Sequence, residues 1–362
     1  MTLDLGLWTW LCAVFLAAAL TAAALVLAAE RVGVGLGIVD HPREGEVQQR
    51  DLPRTGGYGV LLAFWLAILL SFLVVPGELE RLPADNVRLL GVFIGSLALI
   101  PLAIADDVRR LGPGPQLFGQ VVAAAIPTLF GLRMDEIATP LGIVTIPDAL
   151  AGPLAVLWVV AMMNAINLLD SMDGLAGGIG AIASGVLFLR SLWFGQASIA
   201  VLPVALGGAC LGFLTRNWHP SRVILGSSGA LFLGYALGVI TVVGGVKIGT
   251  AFLLLAVPIL DVAWVAYRRL AQGRSPFRGG DAEHLPHRLH TLGMSDRAIV
   301  LSLYAVCGSV GVAVLAMHSV LPTAEKAYLA GAVVATVAAA LALAARLTGR
   351  RTPGTTGAQP EP

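Results

Sequence analysis

Four short stretches of this chain carry side chains able to do chemistry. Asp106 and Asp107 stand side by side, and neighbouring like charges repel unless a cation lies close by. Asn164, Asn167 and Asp170 recur every three residues, with Asp173 next in the series. Positions three apart stack on one helix face, so they predict a polar stripe. A third stretch holds Asn217, Arg222 and Gly226-Ser227-Ser228-Gly229, and a fourth holds Asp281, Glu283, His284, His287 and Arg288. Carboxylates at several segment ends suit a magnesium–diphosphate site, because magnesium binds through one or two carboxylates, substrate phosphates and water. Arg and His add the positive charge that stabilises a transferring phosphoryl group. Solvated helix ends and interhelical hydrogen-bond glue are the plainer readings of the same residues. Polar groups inside an apolar span, however, are functional candidates by default.

The elements that must position these stretches are apolar. The 362 residues are 57% hydrophobic and 12% charged, with mean hydropathy +0.84, whereas globular domains carry about 25% charged residues. That excludes a disulfide scaffold, a disordered regulator and a soluble multidomain enzyme. A net charge of +1 leaves no basic face for nucleic acid. Cys12, Cys210 and Cys307 all lie in apolar runs and read as packing residues. The expected fold is all-α, a polytopic transmembrane helical bundle. Spans of roughly 20 residues read at 6–29, 56–76, 86–105, 115–131, 150–168, 174–191, 197–214, 229–245, 249–268, 298–317 and 326–346. The first lacks a basic leader, so it reads as a retained span and not a signal peptide. One membrane domain over 1–348 and a disordered cytoplasmic tail over 349–362 complete the expected organisation.

With eleven alternating spans, 17 of the 23 Lys and Arg residues fall on one side, which the positive-inside rule makes cytoplasmic. The N-terminus is then outside and the C-terminus inside. All four chemical stretches meet the cytoplasmic face, where a water-soluble donor and a lipid head group can meet. A transporter would need charges near mid-span. Only Asp261 approaches that, and it lies toward the cytoplasmic end of its span.

At these residues the chain resembles the polyprenyl-phosphate N-acetylhexosamine-1-phosphate transferases, from about Asp40 to Arg297. Pro53-Arg54-Thr55-Gly56-Gly57 is similar to that family's early Pro-Arg-x-Gly-Gly, and Asp106-Asp107 with Leu111 and Gln120 to its Asp-Asp motif and downstream Gln. Asn164 through Leu175 resembles its Asn-x-x-Asn-x-x-Asp-Gly-x-Asp-Gly-Leu signature. Asn217 and Gly226–Gly234 resemble the segment leading into Gly-Asp-Ser-Gly-Ser-Leu-Phe-Leu-Gly. Gly273–Phe277 and His284–Arg288 resemble its Arg-Ser-Pro-Phe and histidine loops. The resemblance implies transfer of a sugar 1-phosphate from a UDP-N-acetylhexosamine to a polyprenyl phosphate at the inner membrane. It implies magnesium, with manganese as a substitute, release of UMP, and a possible homodimer. On that model Asp106, Asp107, Asp170 and Asp173 are catalytic, and Asp107, Asp170 and Asp173 hold the metal. Arg54, Asn164, Asn167, Asn217, His284, His287 and Arg288 bind substrate.

The departures fall within the same set. Ser227 stands where the family has its metal-ligand Asp, Ser171 replaces a Gly, and Pro286 replaces a cluster His. Glu46 and Gln48 occupy the positions of a usual Lys-x-His. A second reading rests on Ser227 and Pro286: a relative that binds lipid, nucleotide sugar or a partner with little or no turnover.

Overall fold

The computed structural model describes residues 5–41, 51–74, 83–139, 142–243, 256–274 and 284–319. Among them the helices are α1 (Leu5–Leu36), α2 (Gly56–Val74), α3 (Pro83–Arg109), α4 (Pro113–Leu129), α5 (Asp148–Leu169) and α6 (Leu175–Trp193). Then follow α7 (Ala197–Asn217), α8 (Gly226–Val243), α9 (Ala256–Ala271), the short α10 (Leu285–Thr291) and α11 (Asp296–Ser319). Seven of them, α1, α3, α5, α6, α7, α8 and α11, are long and apolar enough to cross a membrane. Large hydrophobics stay exposed on their outer faces, Leu16, Leu20, Leu97 and Leu157 among them, as lipid-facing surfaces require. This is a multi-pass membrane protein. The expected span 326–346, the start of 249–268 and the 349–362 tail lie outside the described residues.

The core forms around α8, which is buried on every side from Gly226 to Val242. A helix that is apolar all round belongs inside a bundle, and α5, α3, α2, α6 and α7 surround it. Two of its polar side chains find partners there. Tyr235 donates its hydroxyl to the Val92 carbonyl at 2.9 Å, and Trp158 Nε1 donates to Thr241 Oγ1 at 2.8 Å. Against α7, α1 presents Val14, Ala18, Ala22 and Val26, all buried and spaced by four. Gly208 and Gly212 of α7 meet this stripe, and a Cβ on either would overlap an α1 carbonyl. Such small residues let two helices approach closely where no water drives association.

Two short antiparallel ladders depart from the all-α expectation. β1 (Val39–Asp40) pairs with β2 (Leu52–Pro53) in the register Val39↔Pro53 and Asp40↔Leu52. β3 (Glu136–Thr139) pairs with β4 (Gly142–Thr145). Strands this short carry too little alternation to show in a hydropathy pattern. The first ladder has a use, because it carries Asp40 to the base of the segment that bears Arg54.

Candidate active site

The site gathers where α2, α3, α5 and α8 begin or end. In the first motif, Ile224 donates its N–H to Pro53 O at 3.0 Å, while Gly57 donates to Leu225 O at 2.9 Å and Gly56 to Ile224 O at 3.2 Å. A Cβ on Gly57 would overlap the backbone of Gly229. The Gly-Gly pair thus lets α2 press onto the start of α8, which sets Arg54 against Ser227. Gly226 has φ +69°, a left-handed conformation that glycine takes without strain.

Asp106 and Asp107 end α3 and are both buried. Asp106 Oδ1 accepts the Leu111 N–H at 2.8 Å, and Oδ2 accepts Gln116 Nε2 at 3.3 Å and the Ser227 hydroxyl. Asp107 Oδ1 accepts the Ser227 N–H at 2.9 Å and Arg54 Nε at 3.4 Å, while Oδ2 accepts the Tyr58 hydroxyl at 3.3 Å. Asp107 therefore sits at the N-terminus of α8, where the free amides and the helix dipole favour negative charge. Arg54 also reaches Asp40 Oδ1 through Nη1 at 3.4 Å and Ser227 Oγ through Nη2 at 3.3 Å. Burial works against its charge, but Asp107 and Asp40 outweigh it and leave the guanidinium pKa above its usual value. Arg110 forms an ion pair with the same Asp40.

The carboxylates after α5 complete this group. Asp170 caps α5, with its pKa pushed up to about 7 by burial first, against the pull of Arg54, and then by the charges of Asp173 and Asp107. Asp173 is tied elsewhere: Oδ2 lies 3.0 Å from His219 Nδ1 and accepts the Ser221 N–H at 3.0 Å. Gly174, at φ +79°, turns the chain into α6. Its N–H goes to Asn217 Oδ1 at 2.9 Å, and Asn217 Nδ2 donates to Val223 O at 2.9 Å. Both ends of the Asn217 amide are thus engaged with backbone, and what the structure gives it is a positioning part. Asn164, half-buried, donates to Gln120 Oε1 at 2.6 Å and to Val160 O at 2.8 Å. Asn167 lies half-buried one turn on.

His284 and Arg288 belong to a second group, built on Asp261 of α9. Asp261 accepts the Leu285 N–H at 3.0 Å and Arg288 Nη2 at 3.4 Å, and lies 2.9 Å from His284 Nδ1. All three side chains are buried. Among the described residues, Nε and Nη1 of Arg288 are buried without a partner. Burial, followed by the charge of Arg268, lowers its pKa against the pull of Asp261. His287 is half-buried beside it. Asp281, Glu283, Ser275-Pro276-Phe277, Glu46 and Gln48 lie outside the described residues.

Beside Asp107 opens a cleft of about 650 Å³, lined by Leu36, Gly37, Ile38, Val39, His41, Asp107, Val108 and Arg110. The glycosyl transferase family 4 profile matches residues 89–245. Over 299 residues, 81% of this chain and 80% of the other, the chain is 31% identical to the probable undecaprenyl-phosphate N-acetylglucosaminyl 1-phosphate transferase of Bacillus subtilis. The chain belongs to glycosyl transferase family 4. It is 29% identical, over 330 residues, to the decaprenyl-phosphate N-acetylglucosaminephosphotransferase of Mycobacterium tuberculosis (83% of this chain, 80% of that one). It is also 29% identical, over 297 residues, to the phospho-N-acetylmuramoyl-pentapeptide-transferase of Halalkalibacterium halodurans (76% and 86%).

In this family 4 chain the departures have local explanations. Pro286 lies in the first turn of α10, where a helix does not use the N–H that proline lacks. Ser227, where the resemblance sets a carboxylate, acts as a donor to two carboxylates. Among the described residues no three His, Cys, Asp or Glu side chains form a ready coordination shell. The oxygen donors nonetheless fit magnesium, which completes its shell with substrate phosphates and water. Burial lifts Asp170 first and the charges of Asp173 and Asp107 add to it; that second part is what a cation would relieve. Sequence reasoning missed Asp40, Tyr58, Gln116 and His219. Only Tyr58, one turn beyond Arg54, and Gln116, one turn before Gln120, carried a spacing signal.

Proposed function

We propose that this protein transfers an N-acetylhexosamine 1-phosphate from a UDP-sugar to a polyprenyl phosphate and releases UMP, starting a cell-envelope polysaccharide. The cleft beside Asp107 carries this reading. Leu36, Ile38, Val39 and Val108 give it an apolar wall, while His41, Asp107 and Arg110 give it a polar end, the same division as a phosphate on a lipid tail. The relatives' names point the same way. The sorted Arg residues support eleven spans, an outside N-terminus and a site on the cytoplasmic face of the inner membrane.

An oxygen of the lipid phosphate attacks the sugar-bearing phosphorus. A new P–O bond forms there, the P–O bond to UMP breaks, and UMP leaves with the bridging oxygen. Asp107 faces the cleft and accepts any proton still on the attacking oxygen, while Asp106, held through Leu111, Gln116 and Ser227, steadies the end of α3. Asn164 and Asn167 meet the nucleotide. His284, His287 and Arg288 meet the donor diphosphate, and Nε and Nη1 of Arg288, unpartnered among the described residues, are donors in want of an acceptor. Magnesium held by Asp107, Asp170 and Asp173, or manganese in its place, would neutralise phosphate charge.

The test is UMP release by purified protein given UDP-N-acetylglucosamine, undecaprenyl phosphate and magnesium. Wild type turns over and Asp107→Asn does not; full activity in Asp107→Asn refutes the site. Silence in wild type with activity in Ser227→Asp would establish instead a relative that binds without turnover.

A further inference from the structure

Arg54 is held in an unusual way for a half-buried cation. Its three contacts, to Asp107, Asp40 and Ser227, span 3.3–3.4 Å, long for hydrogen bonds that ideally fall at 2.7–3.2 Å. Each acceptor also has a second partner. Asp40 pairs with Arg110, the Ser227 hydroxyl is donated to Asp106, and Asp107 keeps the Ser227 N–H and the Tyr58 hydroxyl. Withdrawing Arg54 therefore leaves every acceptor with a hydrogen bond, and leaves the buried Asp107 charge in need of another cation. Its side chain is 17% exposed, against 1% for Asp107, so the guanidinium lies on the solvent side of the carboxylate it neutralises. With a hydroxyl at position 227 and not a third carboxylate, one cation can balance Asp107 in the resting site.

We infer that Arg54 is a displaceable counter-ion: an incoming phosphate draws it off Asp107, and only then does a divalent cation take its place there. Metal binding is thereby coupled to phosphate binding, and by linkage each raises the affinity of the other equally. The inference rests on the proposed function in taking phosphate and metal to share this site. Arg suits the exchange because its planar fork matches phosphate oxygens as well as carboxylate oxygens.

The test titrates detergent-solubilised full-length protein with Mn²⁺, following free Mn²⁺ by electron paramagnetic resonance, with and without undecaprenyl phosphate. Mn²⁺ taken up by lipid in protein-free detergent is subtracted. Wild type is expected to bind Mn²⁺ about tenfold tighter with the lipid, within the usual range of coupling. Arg54→Gln is expected to bind Mn²⁺ without lipid as tightly as wild type does with it, and to gain nothing further. Arg54→Lys keeps the charge but cannot fork across Asp107 and Ser227, so its lipid-free affinity should rise by about threefold, part of that coupling. Wild-type affinity that ignores the lipid overturns the inference. So does a lipid-free affinity in both variants equal to that of wild type. Absence of Mn²⁺ binding in every sample overturns the metal assignment of the proposed function itself, a different outcome from binding that ignores Arg54.

Discussion

Replacing Asn217 by Ala separates positioning from substrate binding at this site. The side chain is 3% exposed, and both ends of its amide hold backbone: the Gly174 N–H at 2.9 Å and the Val223 carbonyl at 2.9 Å. Truncation leaves a buried donor and a buried acceptor unmade, each worth about 1–3 kcal/mol. The neighbouring ties limit the damage. The Gly174 carbonyl still accepts from Tyr304, and Asp173 still accepts from Ser221. A loss of about 2–4 kcal/mol, toward the lower end of the sum, is therefore expected. Unfolding entropy of about 2.1 cal/mol/K per residue, taken over the whole chain, makes each kcal/mol roughly 1.3 °C, so the melting temperature should fall by about 3–5 °C. The assay is thermal unfolding in detergent beside UDP-sugar binding. Asn217→Asp keeps an acceptor for Gly174 but sets a charge against the Val223 carbonyl, and should recover nothing. An unchanged melting temperature together with lost UDP-sugar affinity would refute the reasoning and make Asn217 a substrate ligand.

Asp261→Ala leaves Arg288 buried without its carboxylate, and removing one partner of a buried pair costs about 3–5 kcal/mol. Thermal unfolding should show a larger fall than for Asn217→Ala, and an unchanged transition would argue against the buried group. Gly57→Ala places a Cβ into the backbone of Gly229, so α2 and α8 must part and little folded protein should elute in size-exclusion chromatography. Gly35→Ala, with open space around it, should elute as wild type does.

The parts of this fold that sequence revealed are those a bilayer enforces. Backbone groups in lipid must be bonded within the segment, so a spanning helix announces itself as a long apolar run, and α1, α3, α5 to α8 and α11 lie where such runs do. The Asn164–Asn167–Asp170 period was visible as a polar stripe, but its contacts were not: Asn164 donates to Gln120 and to the Val160 carbonyl, and Asp170 lies just past the last residue of α5. Asp40 was not legible. It reaches Arg54 only through a ladder of two residues on each strand, and a register that short leaves no pattern. The Asp261–His284–Arg288 group was hidden differently: its members were each visible, but their meeting depends on how α9 and α10 pack.

Ser227 shows most clearly what residue type alone could not say. As a substitution for a metal-ligand carboxylate, it reads as a loss. In place, its N–H and hydroxyl serve Asp107 and Asp106 together, two adjacent acids that would otherwise repel. A carboxylate at this position would set a third acceptor where a donor now stands, and the cluster would then need a cation merely to stay together. With serine, α8 gives Asp107 and Asp106 a donor each and gives Arg54 an acceptor, while Arg54 supplies the positive charge beside Asp107. On the counter-ion proposal, a serine here lets a cation that can leave balance Asp107, so that a resting site and a loaded site would need different partners for it.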